Sequence, residues 1–324
     1  MCRSCKKWFS LDTRRKPSSL WIPYVDGLGI RKLADQEEYS IGKTYTSLRD
    51  ELESLPSNTD VSKNLCDPSK WCGILCLDGK YLKVVEEMNE TEKSIPFIFG
   101  IDFLSHDLPY GALALSENTG AFLKIFQELK EMQYPLRVVV CDGNTAIKPA
   151  LKRVFPEAVI QLCHTHVFKN IADSLHLKTD NTYLHFFNSL KKHIFRLPQN
   201  HEERVIGFAH VFHTHAKGNP LLETILKEIE DREEDLFRYK DMPGVPSTNN
   251  LIEGTNTQVK ARTVPMRALK TRYGADLFVN AWMLRRRTKK FTDCGKAFRH
   301  LNGTRSLDLV LKEDAALPEI LRIR

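Results

Sequence analysis

The chain has 324 residues, 42% of them hydrophobic and 27% charged, a composition that excludes a disordered or fibrous chain and allows one large domain with one or two small ones. No run approaches the roughly 18 apolar residues of a membrane helix, no signal-peptide core follows Met1, and eight cysteines in such a length are not a disulfide framework; an intracellular protein with no membrane partner is expected. The net charge of +7 is local: residues 255–290 hold ten Lys or Arg and one acid, leaving the rest of the chain at −2, and a patch so concentrated suits either a polyanion partner or a solvated helix face.

At the N-terminus, Cys2-Arg-Ser-Cys5 followed by Lys-Lys-Trp-Phe is one Cys-x-x-Cys knuckle of a zinc ribbon. Zinc needs four ligands, so residues 1–10 read as a remnant whose partner knuckle was lost upstream, or which Cys66 with Cys72 or Cys76 completes. Residues 11–65 read as a helical region. Within it Gly29–Glu38 and Lys43–Leu52 form two helices around a turn at Tyr39–Gly42, with Ile30, Leu33, Ala34, Ile41, Tyr45 and Leu48 facing inward and Lys43, Thr44, Thr46, Ser47 and Arg49 outward. That is a helix-turn-helix suited to a DNA groove, or an ordinary helical hairpin.

From residue 71 the pattern changes to strands. Ile74–Leu77 ends in Asp78-Gly79 and alternation resumes through Val85; Pro96–Phe103 and Leu108–Leu115 complete an antiparallel meander. A helix over Gly120–Met132 leads to the continuous apolar run Leu136–Cys141, typical of a buried parallel strand, which ends in a second Asp-Gly pair, Asp142-Gly143. A helix over Thr145–Phe155 and a strand over Ala158–Cys163 follow. The order βββ-α-β-α-β matches a ribonuclease H-like core, a mixed five-stranded sheet with helices spanning 71–166. An all-helical insertion over 167–246, a helix and basic segment over 247–300 and a tail over 301–324 complete the α/β chain.

In that fold Asp78 and Asp142 end neighbouring strands and project into one crevice, which a helix bearing Glu253 is placed to close. Three carboxylates in a cleft hold hard divalent cations for phosphodiester chemistry. Each has a plainer reading: the aspartates as turn residues, and Glu253 as the reciprocal member of a capping box beginning at Asn250. Cys163-His-Thr-His166 has a spacing that coordinates zinc when a second pair exists, which His210, His213 or His215 would have to supply; otherwise it is a hydrogen-bonded structural pair at the cleft edge.

The block from Asp142 to Asn170, with Asn249-Asn-Leu-Ile-Glu-Gly-Thr-Asn256 and the basic helix carrying Trp282 and Arg285-Arg-Arg287, resembles Mutator-like (MULE) transposases of insertion sequences over residues 71 to about 300. The resemblance implies a DDE transposase: strand cleavage at transposon terminal inverted repeats and transfer of the 3′-OH into target DNA. It implies Asp78, Asp142 and Glu253 as catalytic ligands of Mg²⁺ or Mn²⁺, two ions in all, with Cys163 and His166 at the family's Cys-x-x-His position, where zinc is not expected. Zinc at Cys2 and Cys5 is a separate expectation. DNA contacts are expected from Lys43, Arg49, Lys260, Arg262, Arg267, Lys270, Arg272, Arg285, Arg286 and Arg287, in a homodimer or higher oligomer of a prokaryotic, nucleoid-associated protein. The competing readings are a catalytically inactive or truncated DNA-binding regulator and a simple RNase H-like nuclease.

Overall fold

The structure is a computed structural model that describes residues 19–86, 91–266 and 269–322; Cys2, Cys5 and Arg267 lie outside them. The chain divides into two units, Met1–Leu55 and Pro56–Arg324.

In the first unit, helices α1 (Trp21–Asp26), α2 (Ile30–Glu37) and α3 (Ile41–Ser54) pack around Trp21, Val25, Leu33, Leu48 and Leu52. The Glu51 carboxylate accepts from the amides of Leu20 and Trp21 at 2.8 and 3.0 Å, satisfying donors that the start of α1 leaves open. The turn between α2 and α3 is shorter than expected: Glu38 takes a left-handed conformation (φ 55°), and the Ser40 side chain accepts from the Lys43 amide to start α3 early. This rotates α3 relative to the sequence reading. Thr44, expected to face outward, is fully buried and donates to the Ser40 carbonyl, while Ile41 and Tyr45, expected inside, are exposed.

In the second unit a five-stranded sheet runs in the order β3-β2-β1-β4-β5, formed by β1 (Ile74–Glu86), β2 (Thr91–Asp102), β3 (Tyr110–Leu113), β4 (Val138–Cys141) and β5 (Val159–Leu162). β1 pairs antiparallel with β2 and parallel with β4, and β4 pairs parallel with β5. This is the ribonuclease H-like arrangement, reached because β4 is apolar on both faces and every residue of it is buried between helices. Helix α4 (Asn58–Leu65) precedes the sheet, α5 (Thr119–Glu131) and α6 (Ile147–Val154) pack together, and α12 (Asn250–Thr263) and α13 (Arg272–Thr288) pack on the sheet's central and β3 side. There Trp282 sets its ring edge against Phe97 and Phe99, at centroid distances of 6.0 and 5.8 Å.

Between β5 and α12 lie α7 (His164–Ser174), α8 (Leu184–Leu190), α9 (His201–Val211), α10 (Pro220–Glu230) and α11 (Glu233–Asp241), with π-helical turns at Lys191–Arg196 and Phe212–Ala216. Gly207 of α9 permits a close approach: a Cβ there would lie 2.0 Å from the His193 carbonyl oxygen. Helix α14 (Ser306–Val310) and a short 3₁₀ turn at Glu319–Leu321 follow α13.

Two sequence expectations need correction. Asp78-Gly79 is not a strand-end corner, because β1 continues through it with Asp78 opposite Phe99 and Gly79 opposite Ile98. Arg287 is not a surface contact: it is fully buried, bidentate to the equally buried Asp107 at 2.9 Å through each arm, and bonded to Asn58, Ser62 and the Cys66 sulfur.

Candidate active site

Asp78 stands in the middle of β1, and Asp142 follows the last residue of β4, the parallel neighbour of β1. The Asp78 carboxylate accepts from the Gly79 amide at 2.8 Å and from the Asn256 side chain of α12 at 2.6 Å. Asp142 accepts from the Asn144 amide at 3.0 Å. Asn144 also donates from its side chain to Glu117, at 3.3 Å, in the segment between β3 and α5. Glu117 is a member that sequence reasoning missed. Its carboxylate oxygen lies 2.0 Å from where a Cβ of residue 79 would stand, so any larger residue there would displace the Glu117 side chain. The three acids repel one another. Burial first, then Asp142, pushes Asp78 above its usual range, against the Gly79, His166 and Asn256 contacts that lower it. Glu117 is likewise raised by burial, then by Asp142 and Asp78.

Glu253, three residues before Asn256 on α12, meets a different partner. Its Oε1 lies 3.7 Å from His166 Nδ1, too far for a hydrogen bond, and each of these two buried atoms lacks any hydrogen-bond partner. The capping-box reading fails, since the N-cap of α12 is Asn249 and no side chain caps there. Asn249 is instead buried and tied elsewhere, its side chain donating to the Leu77 carbonyl at 3.0 Å and its amide to the Cys163 sulfur at 3.1 Å. These bonds fix the start of α12 against β1 and the end of β5.

Cys163 is the N-cap of α7. Burial raises its thiol, but the neighbouring His166 ring and the Asn249 amide, which donates to the sulfur at 3.1 Å, outweigh that and leave it below the usual thiol range. The Cys163 sulfur in turn is the main cause that raises His166, to about 9 against the effect of burial, with Glu253 and Asp78 adding to it. Each group therefore favours the charged form of the other, and the His166 ring turns its Nδ1 toward Glu253. Cys163, His166 and Glu253 bring one ligand atom each within 4.8 Å of one another, and among the described residues no histidine of the 210–215 cluster joins them.

Residues 24–274 match the family model described as "Transposase, Mutator family". The chain belongs to that family. Its curated relatives are transposases of insertion sequences: that of element IS1201 from Lactobacillus helveticus, 23% identical over 267 residues, covers 79% of this chain and 69% of its own length. Those of IS256 in transposon Tn4001 from Staphylococcus aureus and Enterococcus faecalis (strain ATCC 700802 / V583) are each 24% identical over 282 residues, covering 82% and 69%. Among solved structures, a Mos1 transposase paired-end complex with left transposon end aligns over 71% of this chain and 80% of its own at 14% identity, with a TM-score of 0.23, too low to add to the topology described above. No helix among the described residues of this Mutator-family transposase is long and apolar enough to cross a membrane.

The remaining expected DNA contacts divide by environment. Lys43, Arg49, Lys260 and Lys270 are exposed, whereas Arg262, Arg272, Arg285 and Arg286 are half-buried. Arg49 pairs with Glu53 at 3.5 Å, and Arg272 is committed to the Leu113 carbonyl and to Asp276.

Proposed function

We propose that this chain is a DDE-type DNA transposase that cleaves strands at the ends of an insertion sequence and joins the freed 3′-OH to target DNA. The observation carrying this reading is the convergence of Asp78, Asp142 and Glu117 in one crevice, with Glu253 presenting a partnerless buried oxygen on the helix whose Asn256 bonds Asp78. Mutual repulsion in an acid cluster and an orphaned carboxylate oxygen both fit an oxygen-ligated divalent cation such as Mg²⁺ or Mn²⁺. Asp78, Asp142 and Glu117 are the hard donors that would hold it, with Glu253 as the ligand delivered by α12. When bound, the cation supplies Lewis-acid stabilisation of charge on the attacking and leaving oxygens of the phosphodiester.

The chain's own residues prepare for this. Asn144 and Asn256 orient the acids by donating to Glu117 and Asp78, and the Asn144 amide fixes Asp142. The Cys163–His166 pair acts as a positioning device for Glu253: an imidazolium attracts the carboxylate without consuming its lone pairs in a hydrogen bond. Cys163 already accepts the Asn249 amide, so this pair is read as electrostatic rather than as a zinc centre. The helical unit ending at Leu55 is assigned to recognition of the element's ends, with exposed Lys43 and Arg49 near the phosphates, and joining two ends calls for at least two copies of the chain.

Asp78→Asn, Asp142→Asn and Glu253→Gln are each expected to abolish Mg²⁺-dependent cleavage of a duplex carrying the element's terminal repeat while retaining binding to it. Cleavage by Asp142→Asn at the wild-type rate would overturn the reading. Cleavage without joining to a second duplex would favour a nuclease instead.

A further inference from the structure

Helix α12 has two working faces. Asn256 bonds Asp78 in the carboxylate crevice, whereas Gly254 and Gln258, turned about 100° and 140° from Glu253 on a rod with 3.6 residues per turn, line with Asn250 a separate cleft of about 670 Å³. The opposite wall of that cleft is the end of α13 and the segment after it, with Arg286, Lys289, Lys290 and Phe291, and His106 borders it from the segment between β2 and β3. Asp293 is the one acid in the lining.

Two polar groups at this cleft are left unsatisfied. Arg286 stacks its guanidinium over the Phe291 ring at 4.7 Å, its Nε is buried with no hydrogen-bond partner, and it makes no salt bridge among the described residues. The nearby Asp107 is already occupied by both arms of Arg287. His106 is 6% exposed, and its Nε2 also has no partner. Its backbone is held at φ 54°, an uncommon conformation for a non-glycine residue, while its ring lies 4.4 Å from that of Phe298 and 5.8 Å from that of Phe291. Burial keeps this imidazole neutral at pH 7, a donor or acceptor rather than a second fixed cation. Asp107, Asp293 and Cys294 attract the Arg286 charge without pairing with it, and the planar guanidinium fork, with its Nε unsatisfied, matches phosphate oxygens. Lys289 and Lys290 add two exposed cations.

We propose that this cleft is a phosphodiester-binding subsite that grips a DNA strand on the face of α12 adjoining the carboxylate crevice, with Arg286 as its anchor and His106 as its second donor. The proposal rests on the reading of the chain as a DNA transposase and adds where the strand is held. Helix α12 would then serve both the gripped phosphate and the reacting one.

The test is binding without chemistry, in EDTA, by fluorescence anisotropy of a labelled 30-base-pair duplex and of labelled dT20 across a salt series. Arg286→Gln is expected to weaken binding several-fold and to reduce the slope of log affinity against log salt by about one, the signature of one lost phosphate contact. Because Arg286 is partly buried, Gly254→Glu serves as a second variant: a Cβ there meets nothing within 4 Å, so a carboxylate enters the cleft without disturbing the fold. It is expected to weaken binding at least as much, with an unchanged melting temperature. Inorganic phosphate is titrated in parallel, read by its protection of Arg286 from phenylglyoxal. Protection by phosphate with DNA binding unaffected in both variants would overturn the proposal in favour of a free-phosphate site, and unchanged affinity and salt slope in both variants with no protection would overturn it outright. If Asp142→Asn retains wild-type DNA binding, the subsite stands whether or not the wild-type chain cleaves, which separates its failure from that of the proposed chemistry.

Discussion

Replacing Arg287 with methionine keeps the length of the side chain but leaves the Asp107 carboxylate, itself with no exposed surface, facing an apolar group. Five contacts of 2.9 to 3.1 Å disappear at once: two to Asp107 and one each to Asn58 Oδ1, Ser62 Oγ and Cys66 Sγ. Asp107 keeps only the Trp71 indole N–H, at 3.1 Å, as a side-chain donor. Breaking a buried pair by removing one partner costs about 3–5 kcal/mol, because the other charge stays buried and uncompensated. Against a typical total of about 5–15 kcal/mol, Arg287→Met is expected to lower the melting temperature by roughly 10 °C and to shift the urea midpoint accordingly. The double variant Asp107→Asn, Arg287→Met is expected to lose less than the sum of the two single variants, since no lone charge remains. The salt dependence of DNA binding, measured at low temperature where Arg287→Met stays folded, is expected to match wild type. A cost below about 1 kcal/mol, strict additivity in the cycle, or a salt slope reduced by one phosphate would each refute the assignment of Arg287 to the interior.

Burial, then the charges of Arg286 and His300, hold His106 down at about 4. A base so lowered binds fewer protons folded than unfolded, so its contribution is complete above about pH 6.5 and is lost as pH falls toward about 4, amounting to roughly 3 kcal/mol. In urea titrations His106→Gln is expected to flatten that acid limb, and parallel losses in variant and wild type would refute the cause. Gly79→Ala is expected to displace the Glu117 carboxylate and weaken Mn²⁺ binding about tenfold, read by paramagnetic resonance, with Gly79→Ala, Glu117→Gln no weaker than Glu117→Gln alone; additive losses would place Glu117 outside the cation's shell. In EDTA the raised Asp78 and Glu117 contribute stability at low pH that is lost as pH rises through their folded values, so Mn²⁺ is expected to stabilise wild type more at pH 7 than at pH 4 and Asp142→Asn little at either, as read by melting. Gly207→Ala is expected to destabilise the chain by about 1–3 kcal/mol despite alanine's better helix propensity, because its Cβ meets the His193 carbonyl; a raised melting temperature would contradict this.

The sheet was legible because β4 is apolar on both faces and the helices around it repeat at 3.6-residue spacing, patterns that survive without knowledge of partners. The local chemistry of Asp78 was misleading. Asp-Gly is a turn signal, yet here the glycine removes a Cβ from the path of Glu117, a requirement set by a residue 38 positions further along. Glu117 itself carried no sequence signal, since Ser116-Glu-Asn118 reads as the polar start of a helix and Asn118 does cap the Ala121 amide. Arg285, Arg286 and Arg287 read as one basic patch, but successive residues on a helix point about 100° apart: Arg287 enters the core and Arg286 stacks on an aromatic ring. The same angular blindness misplaced Ile41, Thr44 and Tyr45, where a start of α3 two residues early turned the helix. Glu253 was singled out from its neighbourhood in the sequence, but its approach to the Cys163–His166 pair depends on how α7 and α12 meet through Asn249.

Because Asn249 pins α12 at its first turn to both Leu77 and Cys163, the helix cannot slide or swivel to absorb a change in its own length. One residue inserted between positions 249 and 253 would carry everything beyond it round by about 100° and along by about 1.5 Å, taking Glu253 away from His166. Length changes are therefore forbidden across this single turn of backbone.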